Sequence, residues 1–207
     1  MAIDFTTNKF EGRVPEFWRG EAKMFPGGFA MGQTDFPVGT LIKRGTPVYV
    51  EFATATRKAY VCKSAEVLDG SDADALKVRK GSLFNVGDKV TTAGDSTASA
   101  TPKTISAIDR SNASYDVFTL SANITGLTNN VGTIVEAAGT TNADLGASKY
   151  TPNAVVGADL KIDGKSDAID AAYDAVVLFP SLDFTIPSAW LTGICMKNNP
   201  NIIFVAQ

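Results

Sequence analysis

The chain has 207 residues, 44% of them hydrophobic and 20% charged, with a formal net charge of −3 and no histidine. That size and composition suffice for one large domain or two small ones. Without histidine, the commonest general base, the commonest zinc ligand and every Ser-His or Cys-His nucleophile pair are excluded, and the scattered basic residues make no electrostatic case for nucleic acid.

Residues 1–36 differ in kind from the rest of the chain. Six of the twelve phenylalanines fall here: Phe5, Phe10, Phe17, Phe25, Phe29 and Phe36, with Trp18 among them. Gly12, Gly20, Gly27, Gly28, Gly32, Pro15 and Pro26 break any helix beyond a couple of turns. Val14 to Lys23 is the one stretch with room for a short helical turn, because Pro15 suits a first helical position. An extended segment with spaced aromatics has little local surface on which to bury them. It either lies across its own domain or docks on another chain, with Phe10, Phe17, Trp18, Phe25 and Phe29 as the anchors.

The β pattern begins at Phe36-Pro37-Val38-Gly39. Val48, Val50 and Phe52 fall on one face and Tyr49 and Glu51 on the other, as in a half-buried strand. Ala59 to Leu68 reads as a second strand, and Asp69 to Asp74 as a loop. Lys43-Arg44-Gly45 echoes Arg79-Lys80-Gly81; two such copies mark equivalent strand starts where glycine permits a sharp bend.

From Val78 to Ala138, runs rich in Val, Ile, Thr, Phe and Tyr alternate with Gly-Asp and Asn/Asp/Ser clusters, the pattern of strands joined by tight turns. Asp109 to Ser114 supplies side-chain acceptors for a turn between Ile105–Ile108 and Tyr115–Leu120, so a hairpin is expected there. Ile105 and Ile108 fall on opposite faces by simple alternation, as do Val117 and Phe118, which suits strands enclosed in a barrel or sandwich, or packed against another subunit. Gly94 to Pro102 reads as an exposed loop and Gly139 to Tyr150 as a linker. Asp170 to Ala172 reads as a short helical turn, Ala175 to Phe179 as a buried strand, Pro187 to Leu191 as a short helix, and Asn201 to Val205 as a closing strand. The expected fold is mainly β: a β-barrel or β-sandwich with an extended N-terminal arm (1–36), a core (37–145) and a C-terminal β segment (146–207) that completes or packs on it.

Carboxylates are the remaining candidates for acid–base work. Asp109 and Asp116 flank a hairpin tip, and Asp163, Asp167 and Asp170 cluster after Ile162. Turn acids are solvated and usually bond their own backbone, whereas catalysis needs two acids with pKa values pushed apart by burial. No catalytic residue is assigned. Asp69, Ser71, Asp72 and Asp74 lack the central Gly and terminal Glu of a calcium loop, and Gly81 to Gly87 lacks the phosphate-loop Lys-Ser/Thr ending, so no metal or cofactor is expected. Lys43-Arg44 and Arg79-Lys80 read as solvated charges at strand ends, or else as partners for acidic patches. Cys62 and Cys195 lie in apolar runs and read as reduced thiols. The N-terminal residues lack a secretory pattern and no run reaches transmembrane length, so no membrane partner is expected.

The strings "GTLIKRGTPVYV", "LKVRKGSLFNVGDKV", "TISAIDRSNASYDVFTLSANITGL" and "GTIVEAA", with "NAVVGADLKI" and "AAYDAVVLFPS", resemble the head fiber and capsid decoration family of tailed phages and prophages. The marks run from about Gly39 to Phe179, the strongest being Lys80 to Asp88 and Ile108 to Val117. The resemblance implies a β domain on the outside of a virion shell, assembled in the host cytoplasm, often trimeric, with the major capsid protein as partner. It brings no catalytic residues. The chain has no collagen-like or heptad stalk, which favours a short decoration protein over a shaft. Two other classes compete: a carbohydrate-binding or adhesin module, with Trp190 and Tyr115 as stacking rings, and a carboxylate hydrolase.

Overall fold

A computed structural model describes residues 17–53, 57–72, 74–93, 102–124, 127, 132–139, 147–165, 167–178, 182 and 185–206. The strands in chain order are β1 (Phe17–Met24), β2 (Phe29–Met31), β3 (Leu41–Ile42), β4 (Pro47–Val50), β5 (Lys58–Val61) and β6 (Ser64–Val67). Next come β7 (Ala75–Arg79), β8 (Lys89–Thr92), β9 (Lys103–Asp109), β10 (Tyr115–Leu120), β11 (Gly132–Glu136) and β12 (Ala154–Val156). The chain closes with β13 (Leu160–Lys161), β14 (Ala168–Ile169), β15 (Ala171–Leu178), β16 (Leu191–Thr192), β17 (Cys195–Met196) and β18 (Asn199–Val205). One 3-10 turn, Ser188–Trp190, precedes β16. The fold is mainly β, as the sequence pattern predicts.

The strands divide into two bodies. β6 to β11 close a six-stranded barrel in the order β10-β7-β6-β11-β8-β9. The rest build a ten-stranded sheet, β14-β2-β5-β4-β12-β15-β18-β17-β16 with β1 against β15, and a small β13-β3 pair. The barrel is an insertion: the chain leaves the sheet at β5 and returns at β12, the two strands that flank β4. The boundaries expected at 36/37 and 145/146 therefore do not match the bodies. From Phe17 onward the N-terminal arm supplies β1 and β2 of the sheet, and the barrel is confined to 64–136.

Three other expectations are corrected. Ala59 to Leu68 is two strands in two sheets, broken at Cys62-Lys63, because the Lys63 side chain turns into an ionic site at the junction. Lys23 and its preceding residues from Phe17 form strand, not a helical turn, because they pair with β15. Ala171 and Ala172 open β15 rather than a turn, since both pair with β12.

The hairpin at Asp109–Ser114 forms, with β9 antiparallel to β10. Its uneven alternation has a cause. Phe118 faces Ile108 and Thr119 faces Ala107, but Leu120 faces Ile105, so Ser106 is an extra residue at a register shift. Such a bulge turns the strand by one side chain and lets Ile105 and Ile108 both reach the barrel core. At the two echoed turns, Gly45 and Gly81 have φ of 87° and 92°, a backbone that side chains rarely adopt.

Three apolar clusters hold the bodies. The barrel core includes Leu76, Val78, Phe84, Ile105, Phe118 and Ile134, with Phe84 and Phe118 edge to face at 5.7 Å. One face of the sheet buries Phe29, Phe36, Val48, Val61, Val156 and Ile169. The other buries Cys62, Val155, Val177, Trp190, Ile202 and Phe204, together with Val135 from the barrel.

Candidate functional site

Of the five arm aromatics, Phe10 lies outside the described residues. Phe17 lies in β1 opposite Val177, and Trp18 lies in the same strand. Phe29 is 7% exposed in the sheet core, so its ring is occupied within its own chain. Phe25, half-buried, is the hub of a ring cluster: its centroid lies 5.7 Å from Phe29, 5.2 Å from Phe52 and 4.8 Å from Tyr173. Phe52 caps this cluster at 59% exposure. Met24, 41% exposed, immediately precedes Phe25. The sequence pattern sets Phe52 on one face with Val48 and Val50, but it lies past the end of β4 and is exposed where they are buried. Sequence reasoning missed Tyr173, because only the pairing of β1 with β15 brings it beside Phe25. Beside this cluster, a groove of about 540 Å³ runs past Gly28, Phe29, Phe36 and Ile162 to Lys165.

The carboxylates serve local structure. Both oxygens of Asp167 accept backbone N–H bonds, from Asp163 at 2.9 Å and Gly164 at 3.2 Å. Asp109 accepts from the Ser111 N–H at 2.9 Å, which holds its carboxyl below the usual range. Asp69 accepts from the Gly70 N–H at 2.9 Å. Among the described residues, no three His, Cys, Asp or Glu side chains are grouped as a metal site, and no helix is long and apolar enough to cross a membrane.

The two strings that carry the resemblance meet at one end of the barrel. Lys80 Nζ donates to the carbonyls of Arg110 and Asn112, both at 2.8 Å, and lies 2.7 Å from the buried Asp116 carboxylate. Arg110 Nη2 donates to the Phe84 carbonyl at 2.9 Å. Lys80 is therefore a clamp on the β9–β10 turn rather than a solvated charge.

A second polar cluster occupies the junction of barrel and sheet. The Lys63 side chain is wholly buried; its ammonium donates to Asp35 and, at 2.9 Å, to Asp88. It also lies 4.9 Å from the Phe36 ring centroid. Burial would raise the Asp35 pKa, but the Lys63 bond and charge, with the Asn85 amide, hold it below the usual carboxylate range. Burial pushes Glu136 up, against the opposing 2.5 Å bond from Lys149. Burial would lower Lys149 itself, yet Glu136 raises it overall. Tyr150 stacks on Tyr60 at 4.5 Å, and burial with the neighbouring Tyr60 and Glu136 pushes it up to about 12. A cleft of about 390 Å³ opens beside Glu136, Lys149 and Asp88.

Of the two rings considered for sugar stacking, Trp190 is buried, against expectation, and Tyr115 is half-buried. Trp190 is 2% exposed, and its Nε1–H donates to Ser148 Oγ at 2.9 Å. Tyr115 lies 5.6 Å below the Lys77 ammonium. Cys62 is a buried thiol that burial pushes up, and Cys195 is an unpaired half-buried one. Comparison with protein families, with curated proteins and with solved structures finds no match to this chain.

Proposed function

We propose that this chain is a structural protein of a tailed-phage virion, an auxiliary decoration or head-fiber base protein that binds the major capsid protein on the outer surface. The observation that supports a contact role is Phe52, 59% exposed over the half-buried rings of Phe25 and Tyr173, with Met24 exposed beside them. Aromatic rings of this kind supply contact area at small entropic cost. The resemblance of the Lys80–Asp88 and Ile108–Val117 strings supplies the particle. Many repeated sites on a shell turn weak single contacts into firm attachment when a homo-oligomer, a trimer in this reading, engages several at once.

Removing residues 1–36 is not a clean test, since β1 and β2 would go with them. The test is Phe52→Ser, alone and with Phe25→Ser, in co-sedimentation with assembled heads. Loss of particle binding by a variant with unchanged circular dichroism supports the reading. Undiminished occupancy removes this surface from it, and failure of the unaltered chain to sediment with heads removes the capsid as partner. The carbohydrate alternative loses Trp190 as an exposed platform.

A further inference from the structure

The barrel core closes on itself, drawing only on residues between Ala65 and Ile134. What crosses to the sheet is a polar cluster flanked by a few apolar contacts. Lys63 sits between Asp35, which lies beyond β2 on the sheet side, and Asp88, which precedes β8 on the barrel side. Asn85 Nδ2 donates to the Asp35 carbonyl at 3.0 Å, and Ser64 Oγ donates to the Thr185 carbonyl at 2.7 Å. Val135, with Ala93, packs into one sheet cluster, and Leu83 packs against the other.

We propose that this junction is an electrostatic latch: Asp35 and Asp88 grip one ammonium from opposite sides, and loss of the Asp35 charge frees the barrel to move as an intact body against the sheet.

The geometry makes the two grips unequal. Asp88 is 10% exposed and also accepts the Asn85 N–H at 2.8 Å, so it stays with Lys63 as part of the barrel. The Asp35 side chain is 41% exposed, within reach of water, and its carboxylate is the sheet's ionic hold on Lys63. The chain crosses at Cys62-Lys63 and again after Glu136, where the single bridge Ala137–Ser148 joins the return path. β5, which leads into the first crossing, and β12, which follows the second, both flank β4, so the two connections leave the sheet on either side of one strand. Around Asp35 the charged and titratable groups are Lys63 and Lys149, with Asp88, Glu136 and Tyr150 behind them. Glu136, pushed up by burial, takes its proton at a higher pH than Asp35, so the two steps separate on acidification. The lowered Asp35 value sets the sign. The latch is whole above the ordinary carboxylate pKa of about 3.9 and is released as pH falls through the lower folded one.

The test is hydrogen exchange on the full chain at neutral pH, wild type against Asp35→Asn and Asp35→Ala. Amides at Ala138 and Lys149, which bond the carbonyls of Ala147 and Glu136 and so join the barrel exit to the return path, should exchange roughly tenfold faster in both variants, while Val67, Val78, Phe118 and Ile134 keep their protection. Lowering the pH of the wild type below the ordinary carboxylate range and through the depressed Asp35 value, with intrinsic rates corrected, should reproduce the pattern, and the variants should respond less to the same titration. Equal acceleration in barrel core and junction, or none at the junction, overturns the latch. A difference between the two variants overturns the assignment to charge.

Discussion

The barrel and the ten-stranded sheet solve the same problem in opposite ways. The barrel uses one continuous stretch, 64–136, and its closure leaves no unpaired edge. The sheet joins both halves of the chain, pairing Phe17 with Val177 and setting β15 parallel to β18, and it ends in short strands at β14 and β16. Local closure pairs every barrel strand on both sides. Long-range assembly costs more chain entropy and leaves edges and rings uncovered. The proposed contact surface accordingly lies on the sheet, and the barrel is a self-contained unit beside it.

The sharpest way to separate the two bodies is to hollow out one core. Phe118→Ala removes a fully buried ring packed on Phe84 and should cost about 4 kcal/mol, read by chemical denaturation, with the barrel unfolding first. If sheet and barrel melt together, they are one cooperative unit and the contrast is too strong. Lys63→Ala strikes the junction instead. It strands Asp35 and Asp88 facing each other and should cost about 3 kcal/mol, whereas Lys63→Met, which keeps the volume, should cost less.

Gly32→Ala tests the sheet side without touching a charge. A methyl there would lie 2.2 Å from Tyr60 Cε1, within the stack that Tyr60 makes with Tyr49 and Tyr150, so a loss of about 2 kcal/mol is expected in thermal melts. Phe52→Ser should change stability by only about 0.5 kcal/mol, because its ring is mostly exposed; an effect there belongs to binding.

Acidity gives the smallest and most diagnostic contrast. Stability contributed by Asp35 is present above about pH 4 and is lost below it, while Glu136, raised by burial, favours the folded state as it takes up its proton. The Lys149 contribution is full below about pH 10.4 and lost at higher pH, since its folded value is raised. Absorbance titration should find the Tyr150 phenol ionising near 12, later than an ordinary tyrosine. Ionisation at an ordinary value would place that ring in water.

Local pattern was enough for the mainly β class, the hairpin around Asp109–Ser114 and the Gly45 and Gly81 bends, because turn chemistry and left-handed backbone are written in neighbouring residues. The backbone role of turn acids such as Asp167 was legible for the same reason. Only tertiary structure decided where Ala59 to Leu68 breaks, since that depends on Asp35 and Asp88 reaching Lys63 from two other segments. The division into barrel and sheet was equally hidden, as strand pairing is a property of distant partners rather than of any one run. The ring cluster shares that origin: Phe25 was visible in the arm, but Tyr173 joins it only when β15 pairs with β1, and Phe52 comes to it from the end of β4.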